Sequence, residues 1–177
     1  MSNRVTIKAQ QSALERGRKP MVLAVEDDRT MLMALVDIRE RLDNDVVTAK
    51  NGREALDIVV QRKGEIGAIL LDREMPIMDG MTMLKQIRKD STLRRIPVIM
   101  QTGSDSAKQI REGIDAGVFY YLTKPINEGV LRSVLAEAVR ESQDDLFRVQ
   151  EIPGDQQNDV DYKQIFLSHF IARSRKA

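Results

Sequence analysis

Two hydrophobic patterns alternate along the chain. Met21-Val22-Leu23-Ala24-Val25 is a continuous apolar run that ends in acids. Ala68-Ile69-Leu70-Leu71 ends at Asp72, Pro97-Val98-Ile99-Met100 is followed by Gln101 and Thr102, and Val118-Phe119-Tyr120-Tyr121-Leu122 leads into Thr123-Lys124-Pro125. Asp45-Val46-Val47-Thr48-Ala49 is a weaker run closed by Asn51-Gly52. Runs of four or five apolar residues between breakers predict strands covered on both faces. Between them the spacing changes to three and four. Met31, Leu35, Ile38 and Leu42 share one helical face, as do Ala55, Leu56, Val59 and Val60. Met81, Leu84 and Ile87 mark a third helix, with Leu93 beyond its end. Ile110, Ile114 and Ala116 mark a fourth, stopped by Gly117. Val130, Leu131, Val134, Leu135, Ala138 and Val139 mark a fifth, with Asn127 as its N-cap. This alternation predicts an α/β fold, a parallel sheet with helices on both faces. Right-handed crossovers leave few topologies for it.

The flanks read differently. Residues 1–19 are polar, with Arg4, Lys8, Arg16, Arg18 and Lys19 against Glu15. They read as a solvated N-terminal extension, the alternative being a helix that docks on a partner. The domain then spans 20–142. Ser142-Gln143-Asp144-Asp145 is polar, and the fifth helix either ends or continues there. Pro153-Gly154-Asp155 is a break. Within the C-terminal extension, 143–177, Tyr162, Ile165, Phe166, His169 and Phe170 fall on one face of an amphipathic helix at 161–171. His169, the sole histidine, sits on that apolar face and reads as packing rather than phosphotransfer.

Composition narrows the function classes. Hydrophobic residues at 42% suffice for a core, and a net charge of +1 gives no case for nucleic-acid binding. No cysteine is present, which excludes disulfides, thiolate zinc sites and cysteine nucleophiles. No apolar run approaches the roughly 18 residues of a membrane span. Residues 1–20 lack the apolar stretch of a signal peptide. A cytoplasmic protein is the expectation.

Candidate chemistry collects at the strand ends, where parallel sheets bind ligands. The first strand delivers Glu26, Asp27 and Asp28, the third Asp72, the fourth Thr102, and Lys124 follows the fifth. Two unit charges about 4 Å apart repel by about 4 kcal/mol at an effective dielectric of about 20. Clustered carboxylates therefore take up protons or hold a cation. Hard oxygen donors of this kind suit Mg²⁺. Lys124 is a point charge for a phosphoryl group, Thr102 a hydrogen-bond donor, and Asp72 a nucleophile that forms an acyl phosphate. Taken singly, each residue has a plainer role: a helix N-terminus for the acidic triplet, a cap for Thr102, a surface charge for Lys124. Their joint placement at strand ends argues for a site. Met75, Met78, Met81 and Met83 read as loop and core packing.

Four separated segments carry a resemblance. Val-Glu-Asp-Asp at 25–28, Leu-Asp-Arg-Glu-Met-Pro-Ile-Met-Asp-Gly at 71–80, Thr102-Gly103, and Tyr121-Leu122-Thr123-Lys124-Pro125 resemble the receiver domain of bacterial two-component response regulators, in its stand-alone, chemotaxis-regulator-like form. The likeness covers roughly residues 20–142. It implies a flavodoxin-like five-stranded sheet in the order 2-1-3-4-5. Asp72 is implied as phosphoacceptor. Asp27 becomes a direct Mg²⁺ ligand, Glu26 the second acid, often acting through water, and the Glu74 backbone carbonyl a further ligand. Thr102 and Lys124 contact the phosphoryl group, and Gly103 leaves room for it. Tyr121 takes the aromatic switch position, turning inward when Thr102 moves. The Lys124–Pro125 peptide is cis. Glutamate at 26, where the family commonly has aspartate, lengthens the reach to the metal. The Glu74 carboxylate beside the site bears on the lifetime of the phosphorylated state.

The implied partners are a histidine kinase or phosphotransfer protein and a downstream target protein. The target meets the surface of the fourth helix, fifth strand and fifth helix, which is also a candidate homodimer interface. Neither nucleic acid nor membrane is expected as a partner. No output domain is expected in the 35 residues after Ser142. The chain is not expected to be an enzyme beyond its own phosphorylation and dephosphorylation. Two competitors remain. A haloacid-dehalogenase-like phosphatase would carry aspartate where Glu74 stands and longer loops. A degenerate receiver would bind proteins without phosphorylation.

Overall fold

The computed structural model describes residues 19–38, 44–103 and 106–151. Five parallel strands, β1 Met21–Val25, β2 Val46–Ala49, β3 Ile66–Asp72, β4 Val98–Thr102 and β5 Tyr120–Thr123, form one sheet in the order β2-β1-β3-β4-β5. Five helices alternate with them: α1 Arg29–Ile38, α2 Gly52–Gln61, α3 Gly80–Lys89, α4 Ala107–Asp115 and α5 Glu128–Glu151. This is the flavodoxin-like arrangement expected from the sequence. The expected helix at 161–171, His169 and the extension 1–18 lie outside the described residues. No described helix is long and apolar enough to cross a membrane.

Strand alternation divides the core into two layers. Leu23, Val25, Ile69, Leu71, Val98 and Met100 face one side, where Ala55, Leu56 and Val59 of α2 and Met83, Leu84 and Ile87 of α3 cover them. Val22, Ala24, Ala68, Leu70, Ile99 and Leu122 face the other. There α5 contributes Leu131, Val134, Leu135, Ala138 and Val139, and α1 contributes Leu35. Fully burying each Leu or Val contributes about 1.5–3 kcal/mol. Central β3 is buried at all seven positions, whereas the edge strand β2 is half-buried. That difference is why β2 gives the weaker apolar signal.

Caps fix where helices begin. Asn51 Oδ1 accepts from the backbone N–H groups of Arg53 and Glu54, both at 3.0 Å, starting α2. Asp79 Oδ1 accepts from Thr82 N at 2.7 Å, starting α3. Asn127 Oδ1 accepts from Val130 N at 3.1 Å, as its expected N-cap role requires.

Element edges differ from the sequence reading in instructive ways. Strand β3 starts at Ile66 rather than Ala68, because Gly67 is no breaker here. A Cβ at 67 would lie 2.5 Å from Pro20 Cβ, so glycine lets the chain entering β1 pass close. Strand β4 runs on through Gln101 and Thr102, both fully buried despite their polarity. Strand β5 begins two residues later than the apolar run, because Val118 N donates to Gly113 O and belongs to the turn after α4. Helix α5 passes the polar stretch at 142–145 without a break and reaches Glu151.

Candidate functional site

Parallel strands place all their C-terminal ends on one edge, and the predicted residues gather there. Glu26 and Asp72 lie on the face carrying α1 and α5, at the ends of neighbouring strands. They are 1% and 5% exposed, while Asp27 is exposed. Carboxylate oxygens of Glu26, Asp27 and Asp72 all lie within 4.8 Å of one another. Lys124, reached through the cis Lys124–Pro125 peptide's first residue, sets its Nζ between two of them. It donates to Glu26 Oε2 at 2.8 Å and to Asp72 Oδ2 at 3.1 Å.

The electrostatics follow from burial. Burial pushes the Glu26 carboxyl above its ordinary range, and the neighbouring Asp72 charge adds to this, against the pull of Lys124. Burial alone would lower Lys124, but its bonds to Glu26 and Asp72 outweigh that and hold the ammonium firmly charged. One lysine thus serves two buried carboxylates, with Asp27 adding a third beside them. The set is all oxygen, crowded and short of positive charge, which fits a hard divalent cation.

Asp28 stands apart from the other acids of its triplet. Its Oδ1 accepts from Thr30 N at 2.7 Å and Met31 N at 3.1 Å, capping α1. The Met31 and Thr30 bonds hold its carboxyl below the usual range. Glu74 lies two residues past Asp72 with its side chain exposed, and its N–H makes a long 3.5 Å contact to Asp72 Oδ1. Thr102 ends β4, and its carbonyl accepts from Lys124 N at 2.8 Å, tying the lysine's backbone to the strand beside it. Gly103 follows on the exposed edge. Tyr121 is half-buried on the opposite face of β5.

Three features escape the sequence reading. Arg73, directly after Asp72, donates to Tyr121 Oη at 3.0 Å and to Glu112 Oε2 at 2.7 Å. Gln101 lies fully buried in register with Asp72 on β3 and Leu122 on β5, and neither polar atom of its carboxamide has a partner among the described residues. Ile77 adopts φ 68°, rare for a β-branched residue, within a tight turn where Met78 N bonds Pro76 O at 2.7 Å. Its side chain is 84% exposed. A run of apolar residues around Pro76 signals a loop but not this backbone conformation.

The family model for the response regulator receiver domain matches residues 22–136. The chain belongs to that family. Among its relatives, chemotaxis protein CheY-3 of Vibrio cholerae is 34% identical over 115 residues, covering 64% of this chain and 87% of that protein. The two-component response regulator ORR26 of Oryza sativa is 32% identical over 156 residues, covering 88% of this chain and 25% of its own length. The chain spans only 20–25% of the length of the plant regulators it matches. A crystal structure of a response regulator receiver domain protein from Clostridium thermocellum superposes with a TM-score of 0.65 at 27% identity, over 70% of this chain and 97% of that one. This receiver is accordingly a component of two-component signalling.

Proposed function

We propose that this receiver is a switch set by phosphorylation of Asp72 with Mg²⁺ as cofactor. The observation that carries the reading is the triad of carboxylates within 4.8 Å, two of them bonded by Lys124 Nζ. Glu26, Asp27, Asp72 and the Glu74 backbone carbonyl would hold the ion. When bound, it offsets the negative charge of phosphoryl oxygens.

The protein's own groups supply the rest. Lys124 occupies Asp72 Oδ2, which leaves Oδ1, with only its long contact to Glu74 N, as the attacking oxygen. Its lone pair forms the new O–P bond while the bond from phosphorus to the donor atom breaks. For a phosphohistidine donor that pair leaves on the imidazole nitrogen: a ring protonated at its other nitrogen departs as neutral imidazole, and an unprotonated ring takes up one proton from water to do so. Lys124 neutralises charge on the transferred group, and the Thr102 hydroxyl donates to one of its oxygens. Water attack on the acyl phosphate resets the site, with the Glu74 carboxylate bearing on that rate. Thr102 shifts toward the phosphoryl group and the Tyr121 ring follows. Phosphorylation favours the altered α4–β5–α5 surface only because the phosphoryl group binds that state better.

The receiver turns over no separate substrate; its covalent chemistry is confined to itself. Its partners are a histidine kinase or phosphotransfer protein and a target protein at the α4–β5–α5 face, which also suits pairing of two copies. Neither nucleic acid nor membrane enters this reading, and its setting is the cytoplasm. The test is chemical mapping. After incubation with a small phosphodonor and Mg²⁺, borohydride reduction should convert residue 72, and no other aspartate, to homoserine. Reduction at a different position would move the acceptor away from Asp72. No reduction at all would favour a receiver that binds proteins without phosphorylation.

A further inference from the structure

We infer that Arg73 is a clasp on the switch, holding Tyr121 and helix α4 in the resting arrangement that phosphorylation must undo. The inference rests on the Asp72 reading and extends it to a residue outside the acidic site. Arg73 follows the phosphoacceptor directly, and its backbone N–H is anchored to β4 through Gln101 O at 2.9 Å. Its side chain leaves on the far side of the sheet edge and is only 11% exposed. There Nη1 donates to Tyr121 Oη at 3.0 Å and to the Gln109 carbonyl at 3.3 Å, while Nη2 donates to Glu112 Oε2 at 2.7 Å. One guanidinium therefore joins the end of β3 to a side chain of β5 and to two consecutive turns of α4. The planar fork with several donors is what makes three partners possible; an ammonium offers no such geometry.

The ring is held along one edge as well. A Cβ at position 113 would lie 2.6 Å from Tyr121 Cε2, so the ring rests against the backbone of α4 where only glycine leaves space. A tyrosine tethered at its oxygen and seated on a helix cannot reorient without releasing both contacts. Glu112 is 46% exposed, so its ion pair adds little to global stability. The clasp therefore biases one conformation against another more than it holds the fold. By linkage, a contact that favours the resting state opposes the phosphorylated state to the same extent, and the donor's reaction slows with it because the active-like state through which it proceeds is less populated.

The test compares the full chain with Arg73→Met and Glu112→Gln. Two readouts are followed: the initial rate of phosphoryl adduct formation with a small donor and Mg²⁺, and hydrogen exchange over 107–123 in the unphosphorylated protein. The two substitutions change net charge in opposite directions. A field effect on an anionic donor would slow one and speed the other. The clasp predicts that both speed adduct formation by raising the population of the active-like state, about fivefold or more for Arg73→Met and less for Glu112→Gln, and that both raise exchange at 107–123. Tyr121→Phe added to Arg73→Met should change the rate little further, since both remove the same bond. Unchanged or slower phosphorylation in Arg73→Met, or opposite effects of the two substitutions, would overturn the clasp. A parent chain that takes no phosphoryl group would instead overturn the Asp72 reading. The clasp would then be decided by exchange alone, with unchanged exchange in both variants counting against it. Should Arg73→Met fail to fold, Glu112→Gln carries the same two readouts.

Discussion

Lys124 is the residue on which the acidic site depends most. With its Nζ on Glu26 and Asp72, it is the cation seen to offset two buried carboxylates. Lys124→Met would leave both uncompensated, and breaking a buried pair in this way typically costs about 3–5 kcal/mol. We expect a loss of that order in urea denaturation without divalent ions, partly restored by Mg²⁺. Equal losses with and without Mg²⁺ would argue against a cation site. Glu26 gives the pH dependence. Its folded pKa is raised above the usual 4.5, chiefly by burial. A raised value means that the folded state takes up this proton more readily than the unfolded chain. Its contribution to stability is therefore present below 4.5 and lost as pH rises through the folded value. A proton on Glu26 also competes with metal. Mg²⁺ affinity should fall as pH is lowered toward and through the raised Glu26 value, as titration calorimetry across that range would show. Gln101 presents the opposite case, a buried carboxamide without a partner among the described residues. Removing such a group commonly recovers about 1–3 kcal/mol of desolvation, so Gln101→Met should raise the melting temperature. A lowered melting temperature would mean that the carboxamide holds a buried water.

At the scale of elements, side-chain bonds lock the α3 end and the α4–β5 turn together. Arg88, in the last turn of α3, donates to Gly117 O through Nε and Nη2 at 3.2 and 2.8 Å. Its Nη1 reaches Arg94 O at 3.0 Å and Ile96 O at 3.1 Å. One side chain thus ties the loop entering β4 to the loop entering β5, the two strands that deliver Thr102 and Lys124. Arg88→Ala should destabilise the fold by about 2 kcal/mol or more, since it strips partners from three carbonyls. Chemical denaturation measures this directly. None of it shows in the sequence, where Arg88 reads as one of several basic residues near a helix end. The strands and helices themselves were legible, because short continuous apolar runs and three-to-four spacings are direct consequences of burial. Their edges were less so. Gly67 and Gln101 look like strand ends but lie inside strands, and β4 ends only at Thr102, because contacts with Pro20 and the neighbouring strands decide.

At the scale of the molecule, the sequence revealed which residues converge because parallel topology puts every strand's C-terminal end on one edge. Glu26, Asp27, Asp72, Thr102 and Lys124 are spread over about a hundred residues yet meet there, as the fold class demands. What the sequence could not assign was the division of labour among like residues. Asp28 caps a helix while its neighbours Glu26 and Asp27 join Asp72 in the cluster. Arg73 spans three elements although its position suggests only a loop. Those outcomes depend on side-chain reach in three dimensions, which no periodicity encodes. The central claim, that the clustered acids serve acceptance of a phosphoryl group by Asp72, is tested most directly by intact mass. The parent and Asp72→Asn would be incubated with a small phosphodonor, with and without Mg²⁺. A single phosphoryl adduct on the parent that requires Mg²⁺ and is absent from Asp72→Asn is the predicted result. An adduct that persists in Asp72→Asn, or a parent that stays unmodified with Mg²⁺ present, would contradict it.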